Sequence, residues 1–184
     1  DGNGKIDDLD RTNIGNPTPD FTYGMNIGFK YKDFDENVDL AGVYGNEVYR
    51  VWGTSEQKNS VYNYPQNYTT GWSGPGTSSY VPVVNQLHLI NRAPSTYGVE
   101  DGSYFRIRNV SIGYSFKKLP KVTHIKDLRL SVGVQNLKTW KKNLGYSPEF
   151  RGDGKDTAFN SGIDYGGAGS ALPRVITFAL NLNF

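Results

Sequence analysis

Apolar and polar residues alternate with a period of two along several stretches of the chain, which is typical of β-strands with one apolar face. In the segment 21–31 the odd-numbered residues are large and aromatic or aliphatic, and the even-numbered residues are small or polar. Similar alternation occurs in the segments 34–45, 103–116, 127–137 and 172–184. The pattern therefore predicts five β-strands.

The connections between these predicted strands alternate strictly between short and long. Short turns lie at 32–33 and 117–126, whereas the polar segments 46–102 and 139–172 together hold about half of the chain. Connections of that length are uncommon in compact domains and are usually functional. This alternation places all short turns at one end of a sheet and all long loops at the other, as in outer-membrane barrels.

Aromatic residues gather at the ends of the predicted strands, with aliphatic residues between them. Two aromatic girdles around an aliphatic band are typical of a membrane barrel, whereas a soluble sandwich has an aliphatic core face and a charged outer face. Glu36 is a charged exception on the apolar side, where an acid near the interface costs only about 0–1 kcal/mol. The girdle residues are Phe21, Tyr23 and Tyr44 at the long-loop ends, and Phe29, Tyr31, Phe34, Tyr114, Phe116 and Phe184 at the short-turn ends.

Composition narrows the compartments and partners. The chain has 184 residues, of which 36% are hydrophobic, and a mean hydropathy of −0.57. No run of about 18 apolar residues is present, so a membrane location would have to come from strands. The net charge of +2 arises from scattered residues without a basic block, which argues against a nucleic-acid partner. The absence of cysteine excludes disulfides and thiolate metal sites within these residues.

Five strands do not close a barrel. Single-chain bacterial barrels have even numbers of strands, from about eight upward, and an open edge in lipid leaves unsatisfied backbone groups. We therefore predict an all-β, antiparallel transmembrane barrel of which these residues supply the five C-terminal strands. The alternative is a soluble, calcium-stabilised, carbohydrate-binding β-sandwich module, in which the apolar faces would close on one core.

The first ten residues, DGNGKIDDLD, resemble an acidic calcium loop that is entered late. In the twelve-position loop, oxygen ligands occupy positions 1, 3, 5, 7, 9 and 12, and a glycine stands at position 6. With Gly4 at position 6, position 1 falls before Asp1, so we expect the chain to begin inside a longer loop. The alternative is an acidic, glycine-rich turn without metal. The predicted Ca²⁺ ligands are Asp1, Asn3, the Lys5 carbonyl, Asp7 and Asp10.

Four blocks stand in order along the chain: DGNGKIDDLDRTNIGNPTPDFTYGMNIGFKYKDFD, VEDGSYFRIRNVSIGYSF, LRLSVGVQNLKTW and LGYSPEF, followed by a last strand that ends in Phe184. Together they resemble the C-terminal region of SusC/RagA-type TonB-dependent outer-membrane transporters. The resemblance covers nearly all of the chain, although the segment 46–102 matches only in character. The ordered set of blocks is far more specific than any single block.

The resemblance implies a 22-stranded barrel in the outer membrane of a Gram-negative cell, with an N-terminal plug. It implies energy from the inner membrane through the TonB complex, and a surface lipoprotein of SusD type that covers the barrel. The imported substrates would be oligosaccharides or peptides. A final strand with a terminal aromatic also resembles the signal that barrel-assembly machinery recognises, so we expect a native C-terminus. The plug and the TonB-contacting region are absent here, so these residues alone would not transport.

This interpretation divides the chain into two regions. Residues 1–20 form an extracellular, calcium-loop-like segment, and residues 21–184 form the strands and loops of the barrel. We expect the polar sides of the strands to line the barrel interior or to contact the plug. Those polar residues are Asp35, Asn37, Asp39, Arg106, Arg108, Arg129, Gln135, Asn181 and Asn183.

No catalytic residue is predicted. His88 and His124 have no nucleophile or carboxylate at a recognisable spacing, so the chain is not expected to be an enzyme. The long loops instead offer flat, amphipathic aromatic surfaces for sugar rings or peptide side chains. An alternative role for these aromatic residues is packing within the loop or against the covering lipoprotein. The predicted ligand-binding residues are Trp52, Tyr62, Tyr64, Tyr68, Trp72 and Tyr80.

Overall fold

A computed structural model describes residues 2–4, 7–51, 71–78, 80–83, 93–117, 124–149, 162–166 and 171–184. The chain in these ranges is mainly β-structure, with short 3₁₀ turns at Asp8–Asp10 and Thr96–Gly98. The strands are β1 (Phe21–Tyr31), β2 (Phe34–Tyr44), β3 (Glu47–Arg50), β4 (Val99–Asp101), β5 (Tyr104–Phe116), β6 (Asp127–Lys141), β7 (Ile163–Asp164) and β8 (Val175–Asn183).

The five longest strands form one antiparallel sheet in the order β1-β2-β5-β6-β8. These are the five strands that the alternation predicts. The main difference is β6, which continues to Lys141 rather than ending near 137. The β1–β2 hairpin turns through Lys32 and Asp33, and Lys32 adopts a left-handed φ of 54°. The β1–β2 turn, the end of β5 at Phe116 and the start of β6 at Asp127 lie at one end of the sheet, called here the turn end, and the opposite end is the long-segment end.

The strand register aligns apolar side chains across the whole sheet. One row of directly paired residues runs Ile27, Val38, Val110, Val134 and Ile176 across the five strands. Because side chains alternate between the two faces of a strand, the adjacent row lies on the other side of the sheet. It consists of Asn26, Asp39, Asn109, Gln135 and Val175, four of which are polar.

The apolar face of the sheet is uncovered among the described residues. Ile27 is 48% exposed, Leu180 59% and Phe178 81%. In a sandwich, such side chains would interdigitate with a second sheet about 10 Å away and would be buried. The sandwich alternative is therefore not favoured. Large apolar surfaces of this kind mark contact with a partner or with lipid.

A β-bulge interrupts the register of β5. Asp39 pairs with Asn109 and Leu40 with Ile107, so Arg108 is the extra residue. The bulge explains why Arg106 and Asn109 both lie on the polar face despite their odd spacing. The prediction placed both Arg106 and Arg108 on the polar face, although strict alternation from Val110 would put them on the apolar face. The bulge at Arg108 resolves this for Arg106, and sequence periodicity alone does not reveal it.

The two predicted long loops contain regular structure at the long-segment end. Strands β4, β3 and β7 form a second sheet, with β3 antiparallel to β4 and parallel to β7. Val48 of β3 is only 2% exposed. The segment before β1 packs here too, because Asn16 and Glu47 exchange hydrogen bonds of 2.8 Å through the Asn16 N–H and the Asn16 carbonyl. This region is called the small sheet below.

Candidate functional site

The middle of the polar face of the five-stranded sheet carries one carboxylate that three amides approach. Asp39 accepts hydrogen bonds from the side chains of Asn26, Asn37 and Asn109, the latter two at 3.5 and 3.4 Å. Asn26 also donates to Asn37 at 3.0 Å. The cluster spans β1, β2 and β5. Transfer of these polar groups into hydrocarbon would be costly. This face therefore suits contact with water or a polar protein surface.

An ion pair crosses the polar face nearer the turn end. The Nη1 and Nη2 atoms of Arg129 lie 2.5 and 2.8 Å from the two carboxylate oxygens of Asp35, although β5 lies between β2 and β6. The guanidinium crosses Gly113 of β5, where a Cβ atom would stand 2.2 Å from Nη2. Glycine weakens a strand, so this position is explained by the close passage of Arg129. The bidentate pair thus joins β2 to β6 across the intervening β5.

At the long-segment end, residues 142–149 fold back over the polar face and are called the return segment. Arg106 is 3% exposed, and its Nη1 lies 2.8 Å from Glu149 Oε2 while its Nε donates to Thr139 at 2.9 Å. The hydroxyl of Tyr104 donates to Glu149 Oε1 at 2.8 Å. The Arg106 Nη2 atom lies 3.5 Å from the buried Ser147 hydroxyl. Strand β5 thus holds the end of the return segment through its only carboxylate.

The electrostatics of Glu149 follow from these contacts. Burial on its own would raise the pKa of Glu149, but hydrogen bonds from Tyr104 and Arg106 and the nearby charges of Arg106 and Arg108 outweigh it. The net result is a pKa below the ordinary value. Glu149 therefore stays ionised at neutral pH and keeps both hydrogen bonds.

The start of the return segment is fixed from two sides. The Lys141 ammonium donates to the carbonyl of Asn143 at 2.6 Å and also to that of Gly145. The Leu144 N–H donates to Glu100 Oε2 of β4 at 2.8 Å. The return segment therefore joins the five-stranded sheet to the small sheet.

A buried ion pair lies inside the small sheet. Arg50 Nε is 2.6 Å from Glu100 Oε1, and the two side chains are 5% and 14% exposed. The neighbouring pair, Lys142 and Asp101, is 2.9 Å apart and lies at the surface. Hydrogen bonds from Ser103 and, to a smaller extent, from Lys142 lower the pKa of Asp101. Burial opposes this shift only in part. The two pairs at adjacent positions of β4 differ mainly in their exposure to water.

Two of the six predicted ligand-binding aromatic residues belong to the described part of the chain. Trp72 and Tyr80 are both exposed, and a hydrogen bond from the Trp72 N–H to the Val81 carbonyl brings their segments together. The ring centroid of Tyr80 lies 5.1 Å from that of Tyr97, beside the small sheet. Burial raises the pKa of Tyr97. The remaining predicted residues lie outside the described residues: Trp52, Tyr62, Tyr64 and Tyr68.

The predicted calcium segment is described only in part, because Asp1 and Lys5 lie outside the described residues. Asp7 caps the short 3₁₀ turn by accepting from the Leu9 N–H, and Asp10 accepts from the Asp7 N–H. That backbone hydrogen bond lowers the pKa of Asp10. Carboxylate and amide oxygens fit the ligand preference of Ca²⁺. Within the described ranges, no group of three or more acidic, histidine or cysteine side chains gathers as a metal site, so calcium stays a prediction.

Sequence reasoning missed the contacts that build the long-segment end. Glu149 stands in the block LGYSPEF and Glu100 in the block VEDGSYF, so both were visible as residues of the resemblance. Their partners, Arg106 and Arg50, are 43 and 50 residues away in sequence. No periodic signal joins residues so far apart.

An antiparallel sheet with an uncovered apolar face and a hydrogen-bonded polar face is the architecture of a transmembrane β-barrel wall. As a separate observation, none of the helical turns in the described ranges is long and apolar enough to cross a membrane. No protein-family model matches the chain.

Individual proteins do match it. TonB-dependent receptor P3 of Formosa agariphila is 36% identical over 190 residues, which cover 100% of this chain and 18% of that receptor. The TonB-dependent receptor SusC of Bacteroides thetaiotaomicron is 28% identical and is matched over 99% of this chain and 17% of SusC. The chain is thus a homologue of TonB-dependent receptors, SusC among them, and it spans less than a fifth of the length of these curated relatives.

Solved structures agree on the fold. The RagAB peptide importer in its "open-open" state matches with a TM-score of 0.67 at 19% identity, over 91% of this chain and 17% of that chain. Its "closed-closed" state gives a TM-score of 0.68 at 18% identity. The chain therefore shares the fold of the matched section of the RagAB importer. The relatives are receptors and importers rather than enzymes, in agreement with the prediction that this chain is not an enzyme.

Proposed function

We propose that this chain forms part of the barrel wall of an outer-membrane, TonB-dependent transporter that imports oligosaccharides or peptides. The apolar face of the five-stranded sheet faces lipid, and the polar face lines the barrel interior. The observation that carries the proposal is the exposed apolar face, from Met25 and Ile27 to Phe178 and Leu180, backed by hydrogen-bonded polar residues. Homology to TonB-dependent receptors supports it.

The partners in this proposal are a SusD-type surface lipoprotein, the TonB complex, a plug and the remaining barrel strands. Strands β1 and β8 are the edges of the five-stranded sheet, and in lipid each edge needs a further strand for its backbone groups. The substrates in this proposal are oligosaccharides or peptides. Aromatic surfaces such as Trp72 and Tyr80 suit sugar rings and peptide side chains alike.

Cysteine labelling of the complete protein tests the orientation of the two faces. The chain contains no cysteine, so single cysteines report their own position within it. Ile27→Cys and Ile112→Cys on the apolar face should react with a membrane-soluble thiol reagent. Asn37→Cys and Ser111→Cys, their matched controls on the polar face, should react with a small water-soluble reagent instead. Equal labelling of all four positions by the water-soluble reagent would contradict the proposal.

Uptake by whole cells tests transport. Cells that depend on the complete protein should accumulate a labelled oligosaccharide or peptide only when TonB is present. The double variant Trp72→Ala/Tyr80→Ala should lower uptake at low substrate concentration, because each aromatic contact contributes about 0.5–1.5 kcal/mol beyond its area. Unchanged uptake in cells without TonB would exclude the energised mechanism.

We propose in addition that the segment 1–10 binds Ca²⁺ through Asp1, Asn3, the Lys5 carbonyl, Asp7 and Asp10. The supporting observation is the pair Asp7 and Asp10, which a capping box holds three residues apart with both carboxylates exposed. Calcium titration of the complete protein should show a site that Asp7→Asn or Asp10→Asn weakens. Asp8→Asn is the control, since Asp8 pairs with Arg11 at 2.8 Å and is not a predicted ligand. Equal affinity in all variants would remove the site.

A further inference from the structure

Two cationic residues lie at the long-segment end of the sheet, beside its apolar face. Lys138 of β6 pairs with Ile107 of β5, which places it on the apolar face, and it is exposed. Its Nζ atom lies 5.9 Å from the centroid of the Trp140 ring. Arg174 immediately precedes β8, and its Nη2 donates to the Leu137 carbonyl at 2.9 Å. The guanidinium is therefore held at the carbonyl of the residue that precedes Lys138.

Side-chain hydrogen bonds hold the backbone around Lys138 and Arg174. Asn136 adopts a left-handed φ of 52°, which is uncommon for a residue other than glycine. Its side chain donates to the Pro173 carbonyl at 3.0 Å. Two side-chain contacts thus connect β6 to the segment before β8, one from Asn136 and one from Arg174. They hold the guanidinium in place beside the strand that carries Lys138.

In the described ranges, neither Lys138 nor Arg174 has a carboxylate partner. The ion pairs at this end of the sheet join other residues, with Lys142 on Asp101, Arg106 on Glu149 and Arg50 on Glu100. Both residues are exposed cations at the rim of an apolar surface, and this placement favours an anionic partner. A planar guanidinium and an ammonium are the two side-chain groups that most often bind phosphate in proteins.

The surroundings indicate what kind of anion fits. Trp140 stacks on Phe105 with ring centroids 5.5 Å apart at this end of the sheet. This pair of rings is called the aromatic belt below. Toward the sheet centre the apolar face continues through Val134, Ile176 and Phe178. A ligand that meets the two cations, the aromatic belt and the apolar band in this order has an anionic headgroup and acyl chains.

We propose that Lys138 and Arg174, beside Trp140, bind the phosphate group of an anionic lipid in the leaflet at the long-segment end of the barrel. This inference rests on the proposed function, because it requires the apolar face to contact lipid. The cations bind the phosphate, the indole lies at the interface, and the acyl chains cover the apolar face below. A basic residue near a membrane surface changes affinity for anionic lipid by about fivefold.

Lipid binding to the complete receptor in detergent tests the site. The probe is a fluorescent, diphosphorylated, glucosamine-based lipid, compared with the same lipid after removal of its phosphates. Lys138→Gln and Arg174→Gln should each weaken binding of the phosphorylated lipid about fivefold, and the double variant about 25-fold. Lys138→Arg should retain binding. The matched control, Lys142→Gln, removes an exposed lysine that is paired with Asp101 and should leave binding unchanged.

Three results would overturn the inference. They are equal affinity for the phosphorylated and dephosphorylated lipids, an equal loss in Lys142→Gln, or inorganic phosphate that binds at the site as tightly as the lipid. Insertion of each variant into phosphatidylcholine vesicles is measured first. A receptor that does not insert at all would contradict the proposed function, whereas one that inserts but binds without phosphate dependence contradicts only this inference.

Discussion

The five-stranded sheet and the small sheet of this chain are stabilised in different ways. The first has long strands, one continuous apolar face and polar contacts mostly between adjacent strands. The second has strands of two to four residues and depends on buried charges, with Arg50 5% exposed against Glu100. The comparison indicates that the first region depends on contacts outside the chain to cover its apolar face. The second region depends on specific contacts between residues that are distant in sequence.

The largest expected effect comes from breaking the buried pair of the small sheet. Arg50→Ala leaves Glu100 buried without its cation, which typically costs about 3–5 kcal/mol. We expect local opening of the small sheet and the start of the return segment rather than loss of the whole barrel. Hydrogen exchange at the Leu144 and Val51 amides of the complete protein measures this opening, since both donate within that region.

Lys142→Ala provides the control for that variant. It removes the cation that pairs with Asp101 of the same strand, β4, and the two side chains are 81% and 38% exposed, so we expect almost no change in exchange. A joint Arg50→Met/Glu100→Leu variant should recover most of the lost protection, because apolar replacements leave no buried charge. Equal exchange in Arg50→Ala and Lys142→Ala would show that burial does not distinguish the two pairs.

The second expected effect separates the two faces of the five-stranded sheet. Val110→Arg places a charge in the central apolar row and should destabilise the complete protein in a bilayer by about 2–4 kcal/mol. Ser111→Arg, one residue along on the polar face, should cost much less. Urea unfolding in phospholipid vesicles measures both. If the two variants lose equal stability, the apolar face is not in contact with lipid.

The smallest expected effect is a pH dependence of the return segment. The folded pKa of Glu149 lies below its ordinary value of 4.5, so its stabilisation is fully present above pH 4.5 and is lost as pH falls through the folded pKa. The side chain is 40% exposed, so solvent screening keeps the contribution below about 1 kcal/mol. Proteolysis within the return segment should increase at acidic pH, and Glu149→Gln should show the same rate throughout. A pH response retained in Glu149→Gln would assign it to another group.

The sequence predicted more of the first region than of the second. Period-two alternation located all five long strands, and the register confirmed their faces, as in the row that joins Ile27 to Ile176. The bulge at Arg108 was not predicted, because one extra residue leaves the hydrophobic pattern on either side intact. In the candidate site, Trp72 and Tyr80 were predicted to bind ligand; both are exposed, and their role in binding stays a prediction. The pairs of Arg50 with Glu100 and Arg106 with Glu149 were not predicted.

What the sequence by itself determined is the alternation of side chains, because a strand has a fixed period of two and each residue of β1 or β8 is assigned to a face by its position alone. Only the tertiary structure decided which strands are neighbours across long connections and how the charges of the long-segment end pair. Those pairs form when chain segments 40 or more residues apart meet, as Tyr104 and Glu149 do at 2.8 Å. Such distances in space depend on the whole sheet, and no local pattern of residues encodes them.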